Sequence, residues 1–276
     1  MGIIQIILLS LIQGITEFLP ISSSGHLILL PTLTGMEDQG TLMDVAVHMG
    51  TLVAVLAYFF KDTKGLTLAT LGAVGITPAR RAVEGSEYPR MLWLLILATI
   101  PVIIAGFILS STGAIQHLRS ATVIATTSIV FGVLLYWADT KFPHDRDLSD
   151  LKLRGALIIG LSQILALIPG TSRSGITMTA ARGLGFKRTD AARFSMLLSI
   201  PTITGAGTLA VKDMIDAGDA VLWGDALIAG GLSCIAALAA IHFLMRWLAT
   251  ASMTIFVVYR VGLGLLLFGL IGAGVI

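Results

Sequence analysis

Glu17 is the one carboxylate deep inside an apolar stretch. Gln13 stands four residues before it, on the same helical face. A carboxylate at this depth costs about 2.5–3.5 kcal/mol on insertion scales, so such residues face the interior of a helix bundle. Beyond a break at Pro20 comes Ser22-Ser23-Ser24-Gly25-His26. Capping a helix needs one serine. Three hydroxyls beside the free N–H groups of a helix N-terminus make an anion site. His26, three residues after Ser23, has the chemistry of a general base or of a nucleophile. A second cluster, Pro169-Gly170-Thr171-Ser172-Arg173-Ser174-Gly175-Ile176-Thr177, sets Arg173 among hydroxyls on a glycine-bounded loop. Its guanidinium stays charged and grips phosphate or carboxylate through paired bonds; an ion pair with Glu17 is the other use. Arg260, about seven residues into the last apolar run, is read as facing inward toward an anion rather than snorkelling. His48 is expected to hydrogen-bond across helices. Asp44, His117, His144 and His242 are read as solvated, at span ends or in loops.

The elements that hold these groups are set by composition. Of the 276 residues, 55% are hydrophobic and 12% are charged. Soluble domains carry about 25% charged residues. A water-soluble enzyme, a disordered chain and a nucleic-acid binder are excluded, leaving an integral membrane protein. The single cysteine, Cys234, lies in an apolar run and excludes an internal disulfide. No basic n-region opens the chain, so no cleaved signal peptide is expected.

Six apolar runs are long enough to span a bilayer, at roughly 44–60, 91–110, 119–138, 193–211, 226–247 and 254–274. Stretches 1–30 and 153–180 are broken at mid-length by the proline and serine clusters, and each half is too short to span. Both read as re-entrant helix hairpins, since irregular backbone at membrane depth must be buried in protein or line a wet cavity. Alternating the loops between two sides gathers 14 of the 18 basic residues, from 61–90, 139–154, 181–193 and Arg246, on one side. That side is cytoplasmic by the positive-inside rule, which puts both termini outside. Trp93, Trp137, Trp223 and Trp247 fall near span ends, as an aromatic belt requires. Offset by 150, Leu11/Leu161, Gln13/Gln163, Ser22/Ser172, Ser24/Ser174 and Gly25/Gly175 coincide. Each half then reads as a hairpin plus three spans. The expected fold is one all-α membrane domain, 1–276, of six transmembrane helices and two re-entrant hairpins. It forms an inverted-topology repeat, with a first copy at 1–138 and a second at 153–276. Two buried arginines, one Glu, one His and clustered hydroxyls favour an anion, and a lipid phosphate fits better than a small solute. Broken helices at the midplane equally suit a secondary transporter or lipid flippase.

At these residues the sequence resembles the undecaprenyl-pyrophosphate phosphatases of the bacitracin-resistance type. Gln13 to His26 looks like that family's (E/Q)xxxE motif running into L-P-(V/I)-S-S-(S/T)-G-H. Pro169 to Thr177 looks like its P-G-x-S-R-S-G-x-T motif, and Tyr259-Arg260 like its C-terminal Y-R. The first motif position is Gln13, which leaves one carboxylate. The resemblance implies removal of the terminal phosphate from a C55 isoprenyl diphosphate. This recycles the lipid carrier for peptidoglycan and other envelope polymers and confers bacitracin resistance. It implies the bacterial inner membrane, an active site open to the periplasmic face and a divalent cation, Mg²⁺ or Ca²⁺; Glu17 binds the cation or orients His26, and Gln13 holds a metal-bound water. A homodimer is allowed. By motif position, Ser23 is the first choice as nucleophile with His26 as base or proton donor; His26 itself and direct attack by water are the alternatives. Arg173 clamps the phosphoryl group, with Ser22, Ser24, Gly25, Ser172, Ser174, Thr177 and Arg260 on the diphosphate.

Overall fold

The computed structural model describes residues 2–37, 39–113, 118–217 and 220–276, without the side chains of 41, 206, 208–217 and 220–222. Twelve α-helices run through these residues: α1 Ile3–Thr16, α2 Ser23–Thr34, α3 Gly40–Tyr58, α4 Phe60–Ala73, α5 Thr77–Ala82, α6 Tyr88–Ser111, α7 Ala121–Lys141, α8 Leu153–Gln163, α9 Arg173–Gly183, α10 Arg188–Ala217, α11 Ala220–Thr250 and α12 Thr254–Gly272. Short 3-10 turns lie at Leu148–Asp150 and Ile164–Leu167. Four helices among the described residues are long and apolar enough to cross a membrane: α6, α7, α11 from Trp223, and α12. The pair α3 and α4 makes a fifth when taken as one span bent by 95°.

Surface and interior are distributed as lipid demands. Phe107 and Leu227 are each 74% exposed on their helices, while Arg260 and Arg182 are fully buried. Apolar side chains can face hydrocarbon at no cost; a guanidinium cannot.

Two stretches expected as loops are largely helical. In 61–90, α4 and α5 fold along the bundle end, and Asp62 of α4 is buried against Arg193, which also reaches Glu87 at 2.9 Å. In 212–225, helix runs to Ala217 and resumes at Ala220. Lys61, Asp62, Lys64, Arg80, Arg81, Arg90 and Asp225 therefore sit on helices, where sequence alone showed only polarity. His117 lies outside the described residues, as do the side chains of Lys212, Asp213 and Asp216, and Asp219 altogether.

The two broken stretches fold as the proline and serine clusters dictate. α1 stops at Thr16 and α2 restarts at Ser23; α8 and its 3-10 turn stop at Leu167 and α9 restarts at Arg173. At each restart the N-cap serine has positive φ, 75° at Ser22 and 70° at Ser172. Each hydroxyl accepts from a glycine amide in the first turn, Gly25 at 3.3 Å and Gly175 at 3.0 Å. Such backbone costs about 1–3 kcal/mol per residue and persists only where the surroundings enforce it. Around the breaks, α1 packs on α11 and α3, α9 on α7 and α10, and α12 on α7.

Candidate active site

The two breaks meet. Ser174 Oγ, from the second, donates to the Leu19 carbonyl of the first at 2.9 Å. Arg173 Nη2 donates to Glu17 Oε1 at 3.2 Å, and its Nη1 to the Ser195 carbonyl of α10 at 3.0 Å. Held at both ends of its fork, the guanidinium has one orientation.

Glu17 is the hub. Its Oε2 accepts from Gln13 Nε2 at 2.9 Å and from Ser23 Oγ at 2.6 Å. Gln13 and Glu17 pair one helical turn apart, as their spacing required. The Ser23 contact exists because the chain reverses between Pro20 and Ser22 and brings the α2 N-terminus back over the end of α1. Ser23 therefore hands its proton toward a carboxylate that is itself fixed by a guanidinium.

Glu17, Ser22, Ser23, Ser24, Ser172 and Arg173 line one cavity of about 300 Å³. Its opposite wall carries Asp44, Val45, His48 and Met49 of α3, with Thr202 and Ile203 of α10. The first turns of α2 and α9 both open on it. Each helix N-terminus presents amide N–H groups without helical acceptors and the positive end of the helix dipole. Two such termini, an arginine and four serine hydroxyls make an anion-binding cavity with one carboxylate–hydroxyl pair at its wall.

Arg260 does something else. It is fully buried, and its guanidinium donates to five backbone carbonyls: Pro20 at 3.4 Å, Gly170 at 3.0 Å, Thr171 at 2.8 Å, and Thr127 and Ser128 of α7 at 3.3 Å each. Broken helices leave carbonyls that no amide reaches, and hydrocarbon offers no water to replace it. Arg260 supplies the missing donors to both breaks at once. Gly175 makes room for it, since a Cβ there would stand 2.7 Å from Arg260 Nη1. Gly170, at φ +85°, packs as closely, with Thr127 Oγ1 at 2.2 Å from where its Cβ would be.

The model of the family described as "Bacitracin resistance protein BacA" matches residues 6–266. The chain belongs to the BacA family. A relative named undecaprenyl-diphosphatase from Ruegeria pomeroyi is 50% identical over 98% of this chain and 99% of its own length. Proteins of the same name from Jannaschia sp. and Ruegeria sp. are each 51% identical over 97% of this chain and 98% of theirs. This BacA-family chain is a multi-pass membrane protein.

Within the BacA-family site the residues singled out by sequence fall into two groups. Glu17, Ser22, Ser23, Ser24, Ser172 and Arg173 reach the cavity. Gln13, Gly25, His26, Ser174, Thr177 and Arg260 are not among the residues that line it. Thr177 Oγ1 bonds Ser195 Oγ at 2.7 Å and is fully buried. His26, expected beside Ser23, turns away: its Nδ1 donates to the Ser22 carbonyl at 2.7 Å, and its Nε2 accepts from the Tyr259 hydroxyl at 2.6 Å. Three residues along a helix from Ser23, the imidazole reaches α12 instead of the cavity. Arg260, expected to face the anion, is held by carbonyls. His48, expected to bond across helices, donates from Nδ1 to the Asp44 carbonyl of its own helix at 2.6 Å. That leaves Nε2 facing Glu17 Oε2 at 3.7 Å. Sequence gave His48 no special place because Glu17, the group it faces, lies 31 residues away in the chain.

Arg182 and Asp139 are a second surprise. Arg182, counted among loop cations, is fully buried, bound to Asp139 Oδ1 at 3.0 Å and to the Pro143 and Phe186 carbonyls. Arg188 Nε shares the same carboxylate oxygen at 2.7 Å. This network ties α7 to α9 and α10 and holds α9 at its C-terminal end.

The donor set also bears on a cation. Gln13 Oε1 is buried without a hydrogen-bond partner among the described residues, next to the Glu17 carboxylate. Among the described residues no three His, Cys, Asp or Glu side chains form a metal-binding group. Mg²⁺ commonly takes one or two carboxylates and completes its shell with phosphate oxygens and water. The residues fit a cation completed by a phosphate substrate, not one caged by protein alone.

Proposed function

We propose that this protein is an undecaprenyl-diphosphate phosphatase. It releases the terminal phosphate and returns the monophosphate lipid to envelope-polymer synthesis, which confers resistance to bacitracin. The observation that carries this is the meeting of Glu17, Ser23 and Arg173 in one cavity where two helix N-termini converge. The names of the relatives support the substrate.

In this reading Ser23 Oγ bonds to the terminal phosphorus while the bond from that phosphorus to the bridging oxygen breaks. The hydroxyl proton moves to Glu17 Oε2 along the existing 2.6 Å hydrogen bond. The lipid monophosphate leaves with the bridging electron pair. Water then attacks the phosphoserine; as the Ser23 Oγ–phosphorus bond breaks, Glu17 returns its proton to Ser23 Oγ, and the water's protons leave with the released phosphate. Arg173, Ser22, Ser24, Ser172 and the first-turn amides hold the phosphoryl oxygens; positioning and charge neutralisation are most of what phosphoryl transfer needs. Glu17 and Gln13 would hold a divalent cation, Mg²⁺ or Ca²⁺, which would supply further neutralisation of phosphate charge. His26, fixed by Ser22 and Tyr259, sets the first turn of α2. Gly25, Ser174, Thr177 and Arg260 shape the site without touching substrate.

The architecture is read as six spans and two re-entrant hairpins in an inverted repeat, residues 1–138 and 153–276. The same N-cap geometry at Ser22 and Ser172, 150 residues apart, supports this. Loop charges support both termini on the outer side; the inner membrane and a cavity open to the periplasm are what the family resemblance implies. Oligomerisation as a homodimer is compatible with this reading.

Purified protein in detergent, given undecaprenyl diphosphate, is expected to release inorganic phosphate, and a chelator is expected to suppress the release. A transporter or flippase releases none in detergent, so absence of phosphate would overturn the reading.

A further inference from the structure

The cavity does not end at its polar wall. Val45 and Met49 of α3 line it on one side and, on their other side, line a second, almost wholly apolar groove of about 520 Å³. This groove lies between α3 and α11. Its remaining walls include Val53, Trp223, Leu227 and Cys234. It follows α3 from Val45 to Val53, eight residues or about 12 Å of helix. The two helices cross tightly at its floor. A Cβ on Gly50 would stand 2.1 Å from the Gly230 carbonyl, and Ser233 Oγ donates to the Val47 carbonyl at 2.9 Å. Val53 and Leu227 are exposed, so the groove opens toward the lipid-facing surface.

Resting on the phosphatase reading, we infer that this groove holds the first part of the isoprenyl chain. A diphosphate seated between the α2 and α9 N-termini has its lipid ester directed along a connected surface, since Val45 and Met49 wall both spaces. A polar headgroup gains nothing from such walls; a branched hydrocarbon gains about 25 cal/mol for each Å² it removes from water. A groove of about 12 Å is far shorter than an extended C55 chain. Only the proximal isoprene units are held, and the rest of the chain lies in the bilayer. Chain-length preference is therefore set by α3 and α11 and saturates well below C55.

Gly231 gives a clean test. It lines the groove, and a Cβ added there meets nothing within 4 Å. Replacing glycine within a helix also favours the helix. Gly231→Trp should fill the groove without disturbing the fold. The expected result is a rise of about tenfold or more in KM for undecaprenyl diphosphate, with kcat kept and release from a diphosphate bearing one or two isoprene units unchanged. Equal effects on long and short substrates, or none on either, would overturn the groove. Cys234, the sole thiol, gives a readout independent of turnover. Undecaprenyl phosphate should slow its alkylation by N-ethylmaleimide in the wild type and not in Gly231→Trp; no protection would overturn the assignment. Absence of phosphate release by the wild type from every chain length would count against the phosphatase reading, and Cys234 protection would still decide the groove.

Discussion

Arg173→Ala is expected to lower phosphate release from undecaprenyl diphosphate by about 10³–10⁵-fold, the range seen when an arginine that neutralises a transferring phosphoryl group is removed. The geometry accounts for the size. Arg173 is aimed at the cavity by two bonds, to Glu17 Oε1 at 3.2 Å and to the Ser195 carbonyl at 3.0 Å. The substitution removes the one guanidinium that reaches the phosphate and leaves Glu17 without its counter-charge. Because the second effect also weakens the fold, Arg173→Lys is the companion variant. It keeps a positive charge near Glu17 but loses the planar fork. The protein is expected to insert and purify normally while release stays at least tenfold low. Near wild-type turnover in either variant would remove Arg173 from the phosphate.

Arg260→Ala should act on stability. Three of the five carbonyls it serves, Pro20, Gly170 and Thr171, belong to the helix breaks. Leaving a buried acceptor unpaired costs about 1–3 kcal/mol. With three exposed together, a loss of at least about 3 kcal/mol follows, and thermal unfolding in detergent should move down accordingly. Arg260→Lys, with one ammonium to serve acceptors on three sides, should recover only part. Both variants should bind the diphosphate poorly because the two breaks separate. An unfolding midpoint unchanged in Arg260→Ala would show that the breaks hold without it.

What the sequence could show depended on whether the signal was local. The breaks were legible because proline and serine clusters interrupt apolar runs, and the structure stops α1 and α8 there. Glu17 with Gln13 was legible because four residues make one helical turn. The Ser23–Glu17 pairing was not. It depends on how the chain reverses over Pro20 to Ser22, and residue spacing favoured His26 instead. Arg260 was correctly read as inward, yet its partners come from α7 and both breaks, which only the folded chain brings together. The offset of 150 held more than it first suggested. Ser23 and Arg173, 150 residues apart, each follow an N-cap serine at positive φ, so similar local folds set a hydroxyl and a guanidinium at two helix N-termini on one cavity. Arg182 and Asp139 were hidden for the opposite reason, since charges near helix ends look solvated until neighbouring helices cover them.

Attack by Ser23 is tested most directly by following the phosphate itself. Wild-type protein is mixed with undecaprenyl diphosphate labelled in its terminal phosphate, quenched within a turnover in neutral denaturing detergent, which preserves phosphoserine and phosphohistidine alike, and digested. Label is expected on the peptide carrying Ser23, reduced in Glu17→Gln and absent in Ser23→Ala, which should also lose phosphate release. Full release by Ser23→Ala, or label found on His26 instead, would contradict the mechanism.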